Sequence, residues 1–273
     1  MNDPSTESAP SEQPVNRIVH YDQFFGPLYF EPYAIEVANR IDVAGDSVVL
    51  EIAAGTGIVT LCILKNIPAS AKFIASDIDE EMLAEAKKKL KHFKVEWQII
   101  DAQQLPFSDE SIDLIICCFG YMFVQDKCKA FTEAYRVLKP GGKLLFTTWD
   151  KLEKNTASHT ARKLAENYLH EPISTTYDLP VSMHDEVEIK ELLKKTGFSG
   201  ISIEIAEMYS VCETAKKAAC GLVDGGLIFR EIRQQHPESI DEIKAKLENE
   251  LSQKFGAAPM KASMSALISE ARK

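Results

Sequence analysis

Three acidic residues, Glu51, Asp77 and Asp101, each stand where an apolar run stops. Val48-Val49-Leu50 leads into Glu51, Phe73-Ile74-Ala75 ends near Asp77, and the run from Val95 to Ile100 gives way to Asp101. Packing does not explain three carboxylates at consecutive strand ends, because burying a charge is costly unless something pairs with it. Such groups can accept hydrogen bonds from ribose hydroxyls, an amino group and an adenine amine. Immediately after the first acid the chain reads Ala53-Ala54-Gly55-Thr56-Gly57, a turn with so little side chain that a ligand can approach its backbone closely. Acids and turn together describe a seat for a nucleoside-like ligand.

Two details narrow the ligand. A dinucleotide-binding turn reads G-x-G-x-x-G and is aimed at a pyrophosphate. Here Gly55-Thr56-Gly57-Ile58-Val59-Thr60 lacks the third glycine. Glu51, just before the turn, repels a pyrophosphate and attracts a cationic amine. S-adenosylmethionine carries an α-ammonium, a sulfonium and no phosphate, so the electrostatics favour it over NAD. An NAD-dependent oxidoreductase stands as the alternative enzyme class, and a fold that binds without turning over stands as the non-enzymatic one.

Strands alternating with helices must position these residues. Val48–Ile52 forms the first strand, and Ile58, Leu61, Leu64 and Ile67 recur at helical spacing after the turn. Asp79 is placed to cap a second helix whose apolar face is Met82, Leu83, Ala86 and Leu90. Asp113 to Phe119 is the fourth strand, and Asp113 itself is expected in its loop. Phe131, Ala134, Tyr135 and Leu138 mark a helix stopped by Pro140-Gly141-Gly142, and Lys143 to Trp149 is the fifth strand. The alternation predicts a parallel sheet wound on both faces. Beyond Asp150 the pattern predicts a helix around Ala161–Leu169, another over Val187–Lys195 closed by Gly197, and a sixth strand, Ile201–Met208. Residues 213–255 read as largely helical, with Ile240, Ile243, Leu247 and Leu251 as a core stripe. Met264 and Ile268 sit in a terminal strand.

Residues 48–148 resemble the class I S-adenosylmethionine-dependent methyltransferases, and in particular the ubiquinone/menaquinone-biosynthesis-like group. The resemblance rests on Leu50 to Gly57, on Asp77-Ile78-Asp79-Glu80-Glu81-Met82-Leu83, on Asp101-Ala102-Gln103-Gln104-Leu105-Pro106-Phe107, on Asp109 to Asp113 and on Arg136 to Gly142. Ala53 replaces a glycine often found first in the turn. The resemblance implies an α/β, Rossmann-like, doubly wound and mostly parallel seven-stranded sheet, with an antiparallel edge strand and extra helices covering the site. It also implies roles for residues. Glu51 would reach the methionine amine through water, with Ala53, Gly55 and Gly57 giving backbone access. Asp77 would hold both ribose hydroxyls while Ile78 and Met82 pack near the adenine. Asp101 would accept from the adenine amine beside Ala102, and Cys118 and Phe119 would lie near the transferable methyl. Apart from the resemblance, the aromatic segment at 17–40 reads either as a helix covering the sheet edge or as a lid over the bound cofactor, with Tyr21 as the lid residue. Gly221 to Ile228 resembles the C-terminal region of bacterial members of the group.

Methyl transfer from a sulfonium mainly requires that the acceptor be desolvated and aligned. Histidines 159, 170 and 184 lie in the region where a base could be supplied, but no motif identifies a catalytic residue. The acceptor pocket is expected from Tyr121, Met122, Phe123 and Trp149, which suit a small, partly hydrophobic molecule such as a phenol, quinone precursor or polyketide.

Bulk properties bound the rest. The formal charge of −10 over 273 residues disfavours nucleic acid as a partner. The basic cluster Lys87-Lys88-Lys89 reads as a solvated helix end that complements the dipole. Six cysteines without a CxxC pair speak against zinc and disulfides, and for a reducing cytoplasm. No run predicts membrane insertion. A homodimer is left open. Residues 1–16, rich in Pro, Ser, Glu and Asp, read as a disordered tail. Residues 17–273 form one expected domain, with aromatic lid helices cut by Gly26-Pro27 and Pro32 at 17–40, a cofactor half at 41–150 and a substrate-side half at 151–273.

Overall fold

In the computed structural model, which describes residues 17–169 and 175–273, seven strands pair into one sheet in the order β3-β2-β1-β4-β5-β7-β6. They are β1 (Val48–Ile52), β2 (Lys72–Asp77), β3 (Glu96–Ile99), β4 (Ile112–Cys118), β5 (Leu138–Trp149), β6 (Ser199–Cys212) and β7 (Met260–Arg272). The first five run parallel, and β7 lies antiparallel between β5 and β6. The chain builds outward from β1 through β2 to β3, then returns to the other side of β1 with β4 and β5. That reversal opens a crevice at the carboxyl ends of β1 and β4, where open α/β sheets hold ligands.

Helices α4 (Ile58–Asn66), α5 (Glu80–Lys89) and α6 (Lys127–Val137) connect these strands. Buried on both faces, the central strands are nearly continuous apolar runs: Val49, Leu50, Leu114, Ile115 and Ile116 are essentially inaccessible. Asp79 caps α5 as expected, its Oδ1 accepting from the amides of Glu81 at 3.0 Å and Met82 at 3.1 Å. The lysines closing α5 include Lys89, which pairs with Asp22 of the N-terminal segment.

The N-terminal segment is less interrupted than its prolines suggest. Helix α1 (Arg17–His20), a π-helical turn (Tyr21–Phe25), α2 (Gly26–Tyr29) and α3 (Glu31–Asn39) follow one another almost without a break. Pro27 and Pro32 sit in the first turns of α2 and α3, where the missing N–H costs nothing. After β5 come α7 (Thr156–Glu166), α8 (Glu186–Lys195), α9 (Ala215–Cys220), a second π-helical turn (Gly221–Gly225), α10 (Arg230–Gln235) and α11 (Ile240–Phe255). The two π turns meet backbone to backbone, since a Cβ on Gly225 would stand 3.0 Å from the Tyr21 nitrogen. Ile243, Leu247 and Leu251 of α11 are fully buried, so its stripe is core.

Several boundaries differ from expectation for identifiable reasons. Helix α6 ends at Val137, and Leu138 pairs with Ile112, so Pro140-Gly141-Gly142 belongs to β5 rather than to the helix stop. The ladder is irregular there, between Ile112 and Leu114, and a bulge tolerates proline. Asp113 is not a loop residue. It lies in β4, and its Oδ2 accepts from the Val48 amide at 2.8 Å and from Lys139 Nζ at 2.7 Å, tying the starts of β1 and β4 together. Helix α7 begins at Thr156, earlier than Ala161, and β6 runs on to Cys212. The tail expected at 1–16 and His170 lie outside the described residues. Among the described residues no helix is long and apolar enough to cross a membrane.

Candidate active site

A cleft of about 570 Å³ opens over the carboxyl ends of the central strands, within the range of roughly 300–1,000 Å³ usual for small-molecule sites. Of the residues expected to contact a cofactor, Tyr21, Ala53, Gly55, Asp77, Ile78, Met82, Asp101, Ala102, Cys118 and Phe119 line it. Glu51 and Gly57 do not.

Asp77, at the end of β2, is 9% exposed and held from two sides. Its Oδ2 accepts from the Gly55 amide at 2.7 Å and its Oδ1 from the Asp79 amide at 2.9 Å. These bonds lock the carboxylate against the first turn and the cap of α5, at the lining of the cleft. Burial, helped by the Asp79 charge, nevertheless raises its pKa against the lowering effect of the Asp79, Gly55 and Ile78 amides. Asp101 accepts from the Gln103 amide at 2.8 Å and from the Gln103 side chain at 3.2 Å. Gln103 in turn accepts from the Asp126 amide at 2.9 Å, so the loop after β3 is pinned to the cap of α6. Beside these acids, Met82 is buried and Ile78 is exposed at the rim, an apolar pair flanking a polar end.

Glu51 stands one layer behind the wall. It is 1% exposed, and its Oε2 accepts from the Thr60 hydroxyl at 2.6 Å. Burial pushes its carboxyl up to about 8, the Thr60 bond opposing and the charge of Asp77 adding to the shift. The group therefore favours its protonated form at neutral pH. The attraction to a cationic amine inferred from sequence requires that proton to leave first.

Gly57 works on packing. It adopts φ +80°, and a Cβ there would meet Leu90 Cδ1 at 3.0 Å and Ala86 Cβ at 3.1 Å. It lets the start of α4 lie against α5 and gives no surface to the cleft. Gly57→Ala combines left-handed backbone strain with overpacking, and is expected to destabilise the fold by roughly 2–3 kcal/mol in urea denaturation. Ala53 also has positive φ, 57°, and faces Gly120, where a Cβ would come within 2.5 Å of the Ala53 Cβ. Alanine is accepted at the first turn position because the opposing residue has no side chain.

Strand β4, between β1 and β5, ends in Cys118, and Phe119 follows it; both line the cleft. Burial raises the Cys118 thiol well above its usual range, so it is no nucleophile. Phe119 has φ 57°, a strained backbone for a bulky residue, and its ring stacks on Trp149 at 4.0 Å between centroids. Phe30 and Tyr33 from the N-terminal segment flank Phe119, at 5.4 Å each. Half-buried Tyr21 lines the cleft; desolvation, then the Asp77 charge, raises its hydroxyl pKa.

On the far side Phe123 and Trp149 line the cleft as expected. Tyr121 touches it too, but its ring is fully buried against Phe131 at 4.5 Å. Met122 is fully buried and does not line it, because the 3-10 turn Tyr121–Phe123 turns that side chain into the core. Neither His159 nor His184 lines the cleft; His184 Nδ1 lies 2.8 Å from the Val181 carbonyl. Sequence reading missed Asn155, Ser158 and Arg162, which present one face of α7 and its cap to the cleft, and Tyr177 opposite them. Asn155 bridges the carbonyls of Asp150 and Ser265 and accepts from the Ser265 amide, fixing where α7 starts. Ser158 donates to the Tyr29 hydroxyl at 2.8 Å, joining α7 to the aromatic roof. The i, i+3, i+7 spacing of these three was a signal, hidden by its resemblance to a solvated stripe. Gly225 to Ile228 close the cleft from the second π turn.

Residues 49–142 match the family described as the methyltransferase domain. The ubiquinone/menaquinone biosynthesis C-methyltransferase UbiE of Klebsiella pneumoniae subsp. pneumoniae is 29% identical over 208 residues, covering 71% of this chain and 76% of that protein. The protein of the same name from Klebsiella pneumoniae strain 342 is 34% identical over 155 residues, 55% of each chain. Among solved structures, phosphoethanolamine N-methyltransferase 2 of Haemonchus contortus, in complex with phosphomonomethylethanolamine and S-adenosylhomocysteine, superposes with a TM-score of 0.60 at 20% identity. That match covers 94% of this chain and 56% of the other. The sheet order, the acids at its strand ends and these matches define a class I methyltransferase. The chain is an S-adenosylmethionine-dependent methyltransferase with S-adenosylmethionine as its cofactor, and it is similar to the ubiquinone/menaquinone biosynthesis C-methyltransferases.

Proposed function

We propose that this enzyme methylates a small, partly hydrophobic acceptor held between Phe119, Trp149 and the face of α7. One observation carries the reading: a single cleft runs from the acidic strand ends to an aromatic wall roofed by Tyr21, Phe25, Tyr29 and Phe30. The cofactor, when bound, supplies an activated methyl group on a sulfonium, a good leaving group. The residues fit it, with carboxylates for hydroxyls and an amine, and an apolar rim for a base. Asp77 accepts from the ribose hydroxyls and Asp101 from the adenine amine beside the Ala102 backbone. Ile78 and Met82 sandwich the adenine, and Ala53 and Gly55 offer backbone to the methionine part. Glu51 acts on the methionine amine from behind the wall. Cys118 and Phe119 border the methyl group.

Catalysis then rests on alignment and exclusion of water, which can supply up to about 7–11 kcal/mol. Residues 17–273 serve as one unit for this purpose, the lid segment and the substrate-side half closing over the cofactor half. All six cysteines are free, which suits a reducing, cytoplasmic setting. Incubation with labelled S-adenosylmethionine and a panel of phenols, hydroquinones and polyketide-like enols, each with and without a carboxylate, is expected to label at least one small acceptor. Label entering only protein would overturn the reading.

A further inference from the structure

The acceptor end of the cleft holds a buried cation that alignment of an apolar molecule does not need. Arg162, on α7, is 9% exposed and lines the cleft. Its Nε donates to Glu166 Oε1 at 3.0 Å. Its Nη1 lies 3.7 Å from Asp178 Oδ1, too far for a hydrogen bond, and is shut off from solvent with no hydrogen-bond partner among the described residues. The guanidinium stacks over the Tyr177 ring at 5.0 Å, and the Tyr177 hydroxyl donates to Glu231 at 3.0 Å. Stacking and the Glu166 bond fix the plane of the fork, so its orientation is set before any ligand arrives.

We infer that Arg162 is a specificity-determining residue that receives a carboxylate on the methyl acceptor, making the substrate a small monoanionic acid rather than a neutral phenol or quinol. The inference rests on the proposed acceptor site. Arg162 lines the cleft with a guanidinium whose one hydrogen bond among the described residues is from Nε to Glu166, and a carboxylate matches the planar geometry of the remaining fork. The charge count favours one negative charge over two. Glu166 and Asp178 already lie beside the guanidinium and Glu231 behind Tyr177, so a phosphate dianion would meet three carboxylates. Ser158, on the same face of α7, donates to the Tyr29 hydroxyl, whereas among the described residues the Arg162 guanidinium donates one hydrogen bond, to Glu166.

The test uses the full chain saturated with S-adenosylhomocysteine, and aromatic and aliphatic monocarboxylates such as 4-hydroxyphenylacetate, each paired with its neutral amide and with the corresponding phosphate. Binding is read by calorimetry and by thermal shift. The carboxylates are expected to bind at least tenfold more tightly than their amides and more tightly than the phosphates. Arg162→Met should remove that preference while S-adenosylhomocysteine affinity stays within twofold of the parent. Arg162→Lys, which keeps the charge and loses the fork, should fall between. Equal binding of acid and amide by the unmodified protein overturns the inference without any variant. So does a stronger hold on phosphates, or failure of every carboxylate at millimolar concentration while S-adenosylhomocysteine binds. If S-adenosylhomocysteine itself does not bind, the placement of the cofactor half fails, and the acceptor site falls with it.

Discussion

Asp77→Ala is expected to weaken S-adenosylmethionine binding about a hundredfold, the largest loss from any single side chain of the cofactor half. Two charge-assisted hydrogen bonds to ribose hydroxyls are worth roughly 1.5–3 kcal/mol each, and a hundredfold change requires about 2.7 kcal/mol. The residue also organises the site before a ligand enters. Its oxygens bind the amides of Gly55 and Asp79, so the alanine variant frees the first turn and the approach to α5 together. Asp77→Asn separates the two contributions. It keeps one oxygen, but its NH2 must face one of those amides, so a loss near tenfold is expected with partial preservation of the turn. Titration calorimetry on the two variants checks both numbers, and an unchanged affinity for Asp77→Ala sinks the assignment of Asp77 to the ribose.

The cofactor half was legible because its signals are local. Parallel strands buried on both faces must be apolar runs, so Val48–Ile52 and Ile112–Cys118 announce themselves. Acids that follow such runs lie at the crevice end of the sheet by topology, which made Asp77 and Asp101 legible as cleft residues, although Glu51 at the end of β1 is turned behind the wall. The acceptor half was not legible, because its side chains contradict the usual link between polarity and exposure. Asn155 and Arg162 are polar residues on α7 that point inward, to a buried carbonyl cluster and to the cleft. On the sequence alone they belong to the solvent side of a helix. In the N-terminal run the helical pieces were legible but the π turn at Tyr21–Phe25 was not, because no local residue pattern marks the break it makes in a 3.6-residue period. Pro140 misled in the opposite sense, since a proline in a bulged strand beside Ile112 looks like a helix stop. Gly57 shows the limit of motif reading. It was assigned to the ligand because its neighbours in the turn face it, yet φ +80° and the nearby Ala86 and Leu90 give it to the helix packing.

Glu51 shows a different limit, because its role depends on a proton that no sequence pattern records. Its folded-state carboxyl is raised to about 8, chiefly by burial, from an ordinary value of 4.5. Between those values the folded chain holds a proton that the unfolded chain has lost. Stability is therefore expected to fall as pH rises through this window, by up to about 1.4 kcal/mol per unit, and to level off above pH 8. Asp77, also raised by burial, adds to the slope at its acid end. Glu51→Gln keeps an oxygen for the Thr60 hydroxyl and cannot ionise, so its urea stability should be nearly flat from pH 6 to 8 and exceed the parent's at pH 8. The same proton reports on the cofactor. If the ligand's ammonium draws on Glu51, binding must convert the carboxyl to carboxylate and release a proton. Affinity should then rise with pH between about 5.5 and 7, below the ligand amine's own titration near pH 8. Calorimetry in buffers of different ionisation enthalpy measures that release directly. One proton released by the parent and none by Glu51→Gln is the expected pair of results. Parent binding without proton release would leave Glu51 as a buried acid serving only Thr60 and the stability of β1.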